Sequence, residues 1–391
     1  MRKVSADVIY TNKGAPREET VIVVDDDGQI ADITELALHD PLTVEVFRGA
    51  IIPGFVNAHC HLELSHMVGL VETGTGLLPF LQKVVQMRDI DQSLIDRAII
   101  QADQEMYNSG IVAVGDISNQ IDTFATKRSS RIRYYTFVEM FDFLQDDQAD
   151  SFYSRYKKVL DQAPEDLTNK RNAVPHAPYS VSPTLFAHIK NLQKPGTSIT
   201  IHNQETPAED ELFRTGKGDF LGFYNNFGFS LDRFQATGKS SLYYTLSHLN
   251  SDQRTLLVHN TLTSGQDIEM AQEWSDAIYW VTCPSANLYI ENRLPNYLNF
   301  INREAKVCVG TDSLTSNWKL SIWEELKTIY KYQSYVPIET LIKWATVNGA
   351  RALGFEDTVG TIEVGKSPGL NLLSIDHEGQ IDMTGTCLRL L

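Results

Sequence analysis

The stretch Phe55-Val56-Asn57-Ala58-His59-Cys60-His61 is an apolar, strand-like run that breaks off in two histidines. The same ending recurs along the chain. Ser198-Ile199-Thr200-Ile201 runs into His202, Thr255-Leu256-Leu257-Val258 into His259, and Val307-Cys308-Val309-Gly310 into Thr311-Asp312. Val174-Pro175 leads into His176, so five of the ten histidines and one aspartate directly follow apolar runs. Strand candidates are 51–58, 110–115, 132–138, 171–175, 198–201, 255–258, 277–282 and 305–310, with helical patterns such as 77–87, 95–107, 183–192 and 320–332 between them. Eight β runs alternating with helices predict an α/β fold, a (β/α)8 barrel with insertions. A doubly wound sheet has the same alternation, and pattern alone leaves that choice open. In a barrel the C-terminal strand ends open onto one face, where groups as distant in sequence as His59 and Asp312 meet.

Both chain ends read as β structure. Residues 21–24 and 29–33 flank Asp25-Asp26-Asp27-Gly28, an Asp-Gly hairpin signal. Gly360-Thr361-Ile362-Glu363-Val364-Gly365, 370–375 and His377-Glu378-Gly379 repeat the style. The expected organisation is a composite sheet domain of residues 1–50 and 357–391 closing around a barrel of residues 51–356.

His59 and His61 are two apart, so on a strand both imidazoles face one way and form half of a divalent-metal site. A third histidine and an aspartate complete an N3O set that leaves room for water. An isolated H-x-H is usually incidental; its recurrence with His202, His259 and Asp312 is not. Glu205, three residues past His202, is placed either to exchange protons with a water on the metal or to start the helix after Thr206-Pro207. Strand alternation turns Cys60 away from the ligands, as a small buried hydrophobe. Ser285 and Asn287 are candidate substrate contacts, as is Glu63 in the loop after the first barrel strand. That loop continues to Thr73-Gly74-Thr75-Gly76 and is positioned to cover a substrate. His66 reads as a loop residue, and His39, His188, His248 and His377 as structural or solvent-facing.

Composition narrows the classes. Thirty-four Lys+Arg against fifty Asp+Glu leave a net charge of −16, which argues against a nucleic-acid backbone as partner. Four scattered cysteines without a C-x-x-C pair argue against a disulfide framework and for a reducing compartment. Met1-Arg2-Lys3-Val4-Ser5-Ala6-Asp7 lacks the apolar core of a signal peptide, and no run approaches the roughly 20 apolar residues of a membrane helix. The expectation is a soluble cytoplasmic protein with no membrane partner.

Pro53-Gly54-Phe55-Val56-Asn57-Ala58-His59-Cys60-His61 resembles the signature of the amidohydrolase superfamily. His202-x-x-Glu205, His259, Cys283-Pro284-Ser285-Ala286-Asn287 and Gly310-Thr311-Asp312-Ser313 are similar to its later motifs, and Gly360–Lys366 to the return into its β-sandwich. The resemblance is strongest to the deaminase and chlorohydrolase branch, with His-Leu-Glu-Leu-Ser and His-Ala-Pro-Tyr-Ser leaning towards aminodeoxyfutalosine and adenosyl-type deaminases. It implies that His59, His61, His202 and Asp312 bind one divalent metal, zinc or in some relatives iron. It implies also that Glu205 shuttles protons, that His259 hydrogen-bonds the attacking oxygen and that His176 contacts substrate. Two-metal members use a carboxylated lysine on strand four, where this chain reads Val174-Pro175-His176. The implied reaction is hydrolytic deamination of a small heterocyclic amine, with hydroxide attacking the amidine carbon and ammonia leaving. The alternatives are dechlorination or hydrolysis of a cyclic amide or other C–N bond. Relatives are commonly homodimers or larger.

Overall fold

The computed structural model describes residues 1–376 and 378–391, so the reading of His377 lies outside the described residues. Among the described residues, fourteen strands follow in chain order: β1 Arg2–Ile9, β2 Thr20–Val24, β3 Ile30–Glu35, β4 Glu45–Pro53, β5 Phe55–Cys60, β6 Ile111–Ser118, β7 Arg133–Met140, β8 Asn169–Pro175, β9 Ser198–Asn203, β10 Arg254–His259, β11 Ile278–Thr282, β12 Val307–Val309, β13 Leu370–Leu373 and β14 Cys387–Arg389. Strands β5-β6-β7-β8 and β9-β10-β11-β12 form two parallel arcs, each in sequence order. Backbone hydrogen bonds bridge both seams at the C-terminal ends. His202 N donates to His176 O at 2.9 Å, while Thr311 N and Asp312 N donate to His59 O at 3.0 and 3.1 Å. The result is the (β/α)8 barrel, with helices such as Gln92–Asn108, Pro183–Leu192 and Ile322–Tyr332 outside the strands, while Leu77–Met87 lines the cavity at their C-terminal ends.

The barrel strands are buried along nearly their whole length. Alternation therefore gives way to continuous apolar runs, as a sheet covered on both faces requires. Phe55, Phe137 and Trp280 are among the largest fully buried side chains, each contributing roughly 1.5–3 kcal/mol of burial free energy.

The chain ends form a six-stranded sheet, β14-β13-β4-β1-β2-β3. The hairpin is present: β2 and β3 pair antiparallel, and Asp25 Oδ1 accepts from Asp27 N and Gln29 N across the turn at Gly28, whose φ is +81°. Apolar residues line both faces, Val4, Ile22, Val24 and Leu370 in one layer and Val21, Val23 and Val44 in the other.

The candidate strand 51–58 is corrected into two. Ile51–Pro53 pair with β13 in the terminal sheet, and the barrel strand starts at Phe55. Gly54 is the joint. Its N–H points at Pro368 O and Gly369 O (3.1 and 3.2 Å), and a Cβ there would lie 2.3 Å from Val112 Cγ1. Among the described residues, no helix is long and apolar enough to cross a membrane.

Candidate active site

The predicted convergence is present. His59 and His61 leave β5 on the same side, with their Nε2 atoms 3.1 Å apart. Asp312 Oδ1 approaches them at 3.7 and 3.5 Å, and its other oxygen accepts from Ser316 Oγ at 2.7 Å. Backbone constraints fix this approach: Asp312 sits at φ +57°, held by its N–H on His59 O. Gly310 lies so close that a Cβ would meet His59 Cβ at 2.9 Å. His202 donates Nδ1–H to His176 O at 2.8 Å, which leaves Nε2 as its free ligand atom. One nitrogen from each of His59, His61 and His202 falls within 4.8 Å of the others. Burial pushes the imidazoles of His59 and His202 well below their ordinary range, into the neutral form that ligates metal. Three imidazoles and one carboxyl group form a donor set that suits a first-row divalent ion.

Beside it stand the proton-handling groups. Glu205 Oε1 is 3.6 Å from His259 Nε2. Burial, reinforced by Asp312, Glu209 and Glu291, pushes the Glu205 carboxyl well above the usual carboxylate range. Its loop is pinned from behind: Glu209 accepts from the backbone N–H groups of Gln204 and Glu205 at 2.9 and 3.1 Å, and also from Ser241 Oγ. His259, at φ +74°, is held through Nδ1 by Asn287 Oδ1 at 2.8 Å, and burial keeps it neutral. An amide oxygen can only accept, so Nδ1 carries the proton and Nε2 presents a lone pair towards Glu205. His176, pushed down to about 3 by burial and by His61 and His259, is oriented by Ser180 Oγ at 2.6 Å. These groups sit at one end of a cavity of about 170 Å³ whose outer wall is apolar. Leu77, Phe80, Leu81 and Val84 supply much of that wall from one helix, with Phe143 and Phe223 among the residues that complete it.

A profile of the amidohydrolase family matches residues 50–385. The chain belongs to the amidohydrolase family. It is therefore a hydrolase of carbon–nitrogen bonds. It is 26% identical over 358 residues to an adenosine deaminase of Helicobacter pylori, covering 90% of this chain and 85% of that protein. It is 26% identical over 333 residues to an aminodeoxyfutalosine deaminase of Nitratiruptor sp., covering 83% and 79% of the two chains. The same fold is seen in Helicobacter pylori aminofutalosine deaminase in complex with methylthio-coformycin, with a TM-score of 0.77, 23% identity and coverage of 95% and 92%. It is seen again in the atrazine chlorohydrolase TrzN of Arthrobacter aurescens complexed with zinc, at TM-score 0.73, 15% identity and coverage of 95% and 87%.

Not every candidate contact of this amidohydrolase reaches the cavity. Glu63 is buried behind the wall, where its carboxylate accepts from Asn119 N and Gln120 N (2.9 and 3.1 Å) and pairs with Arg88 at 3.3 Å. Ser285 faces away: its N–H goes to Glu325 Oε2 and its hydroxyl lies near Thr328. Asn287 is spent on His259, through Nδ1 and a longer contact to its carbonyl at 3.4 Å. Among the lining residues that escaped the sequence reading are three with charged or amide groups, Arg88, Asn119 and Glu139. Glu139 follows the apolar run 132–138 and obeys the same strand-end rule as the histidines. Burial, with Glu63 adding to it, pushes its carboxyl up to about 8. Arg88 follows the wall helix and carries no comparable signal.

Proposed function

We propose that this chain is a metal-dependent hydrolytic deaminase of a purine- or nucleoside-like amine, exchanging an exocyclic amino group for oxygen and releasing ammonia. Its relatives over most of its length are adenosine-type deaminases. The observation that carries the reading is the buried Glu205 carboxyl, held at the edge of the His59–His61–His202–Asp312 cluster and open to the cavity.

A divalent ion on those four residues, zinc in this reading and one per chain, supplies Lewis acidity that lowers the pKa of water towards about 7. The protein does the rest. Glu205 takes a proton from the attacking water and returns it to the ring nitrogen beside the reacting carbon, so charge is quenched as it develops. His259 Nε2 orients the attacking oxygen by accepting its remaining proton in a hydrogen bond. Asp312, fixed by Ser316, helps carry the proton that departs with the amine. His176 and the apolar wall hold the heterocycle and exclude bulk water, which strengthens each of these interactions.

The catalytic unit in this reading is residues 51–356 apart from Ile51–Pro53, which pair in the terminal sheet, supported by residues 1–50 and 357–391. The reading places the protein in the cytoplasm, in keeping with four free cysteines. The test is elemental analysis joined to ammonia release from adenine nucleosides, guanine, cytosine and amino-triazines. About one metal per chain and ammonia from adenine nucleosides are expected. Full turnover with the metal removed overturns the mechanism, and no ammonia from any adenine nucleoside overturns the substrate class.

A further inference from the structure

His59 and His61 are anchored in different ways. On the β12 side the backbone of His59 is held directly, its carbonyl accepting from Thr311 N and Asp312 N at 3.0 and 3.1 Å. On the β6 side the ladder is interrupted at the same place. Asn57 pairs with Val114 and Cys60 with Asp116, so β5 carries one extra residue between the two pairs, a bulge around His59. The strand ends at Cys60, and the His61 carbonyl turns to accept from Leu64 N at 3.1 Å. The peptide that joins His61 to Leu62 is tied to β6 by a side chain instead: Leu62 N donates to Asp116 Oδ1 at 2.8 Å.

Asp116 is itself fixed. Its Oδ2 pairs with Lys127 Nζ at 2.6 Å, with both side chains fully buried. The ammonium also donates to Ser118 Oγ at 3.0 Å and Thr136 Oγ1 at 3.1 Å, which uses all three of its N–H bonds. The rings of Phe124 and Tyr134 lie against it, with centroids at 5.7 and 5.5 Å. A buried ion pair is a poor source of stability, because desolvation offsets much of its attraction. This pair does something that two apolar side chains could not: it aims a charged acceptor at the peptide that carries His61. From this we infer that Asp116, oriented by Lys127, is a positioning residue for the metal site, holding His61 in line with His59 before an ion binds. This rests on the metal reading above and adds to it the group that preorganises one ligand.

The experiment removes the acceptor without leaving a buried charge. The double variant Asp116→Asn with Lys127→Met keeps an oxygen for Leu62 N–H, and Asp116→Leu with Lys127→Met does not. Zinc affinity of the metal-free proteins is measured by competition with a chelator, and the visible spectrum of the cobalt(II)-loaded proteins reports ligand geometry. The asparagine variant should keep the wild-type affinity and spectrum. The leucine variant should lose about tenfold or more in zinc affinity, the usual scale for groups that orient metal ligands, and its cobalt spectrum should change. A merely structural role lowers the melting temperature and leaves both metal readouts alone. Equal zinc affinities in the two variants, whether high or low, or the reverse order, overturn the assignment of Asp116. Hydrogen exchange in metal-free wild type tests it without any variant. The Leu62 amide should be strongly protected, and exchange as fast as at the exposed Gly69 overturns the anchor. Each of these failures leaves the metal reading standing; a wild type that binds no zinc overturns both.

Discussion

Replacing Glu205 by glutamine removes a titratable proton and changes little else. The side chain keeps its length, and the backbone N–H remains on Glu209 Oε2 at 3.1 Å. No metal ligand is touched. The site is buried, so bulk water is poorly placed to take over the proton that Glu205 moves. A positioned general acid–base typically contributes about 10²–10⁴ in rate, equivalent to about 3–5 kcal/mol at 1.36 kcal/mol per tenfold. The expected result is a kcat for ammonia release lower by two to four orders of magnitude on the same scale, with metal content unchanged and KM within a few-fold. Because the carboxyl is pushed well above its ordinary range chiefly by burial, it costs stability above the unfolded carboxyl's range, so its replacement by a neutral amide should raise thermal stability at neutral pH. The assay is coupled ammonia release on metal-quantified protein. A kcat within a few-fold of wild type refutes the proton shuttle, and a loss explained by missing metal refutes the separation of Glu205 from the ligand set.

Gly310→Ala should force His59 aside, because the new Cβ lies 2.9 Å from His59 Cβ and from its carbonyl oxygen; metal affinity measured by competition with a chelator should fall at least tenfold, and an unchanged affinity refutes the close-approach argument. Lys127 and Asp116 form a fully buried ion pair at 2.6 Å, so Lys127→Met should cost about 3–5 kcal/mol in denaturant unfolding by leaving a buried charge unpaired. Burial pushes Glu325 up to about 8 from an ordinary 4.5. Between those values the native state holds a proton the unfolded chain has lost, so stability declines as pH rises through that window and levels off above it. In Glu325→Gln, melting temperature against pH from 4.5 to 8 should fall less steeply than in wild type, whatever the absolute offset; parallel curves refute the assignment.

What was legible in the sequence was what strand geometry repeats. His59, His61, His202, His259 and Asp312 each follow an apolar run, and a parallel barrel carries such positions to one face whatever lies between them. Contacts that depend on which way a loop or helix turns were not legible. Glu63 follows the H-x-H closely yet faces inward, because the turn at Leu62–Met67 gives its carboxylate to two backbone N–H groups after β6. Ser285 and Asn287 share one short helix, and two residues on a helix point about 200° apart. One therefore turns to Glu325 and Thr328 and the other to His259. Gly54 hid a chain crossing inside what reads as a single apolar run, since both the terminal sheet and the barrel bury their strands there. Glu139 shows the converse. The rule that found the histidines applies to it, but a carboxylate after an apolar run resembles an ordinary solvent-facing strand end. Only the burial of β7, with Asn119 and His202 close to its carboxyl, turns Glu139 into a cavity residue.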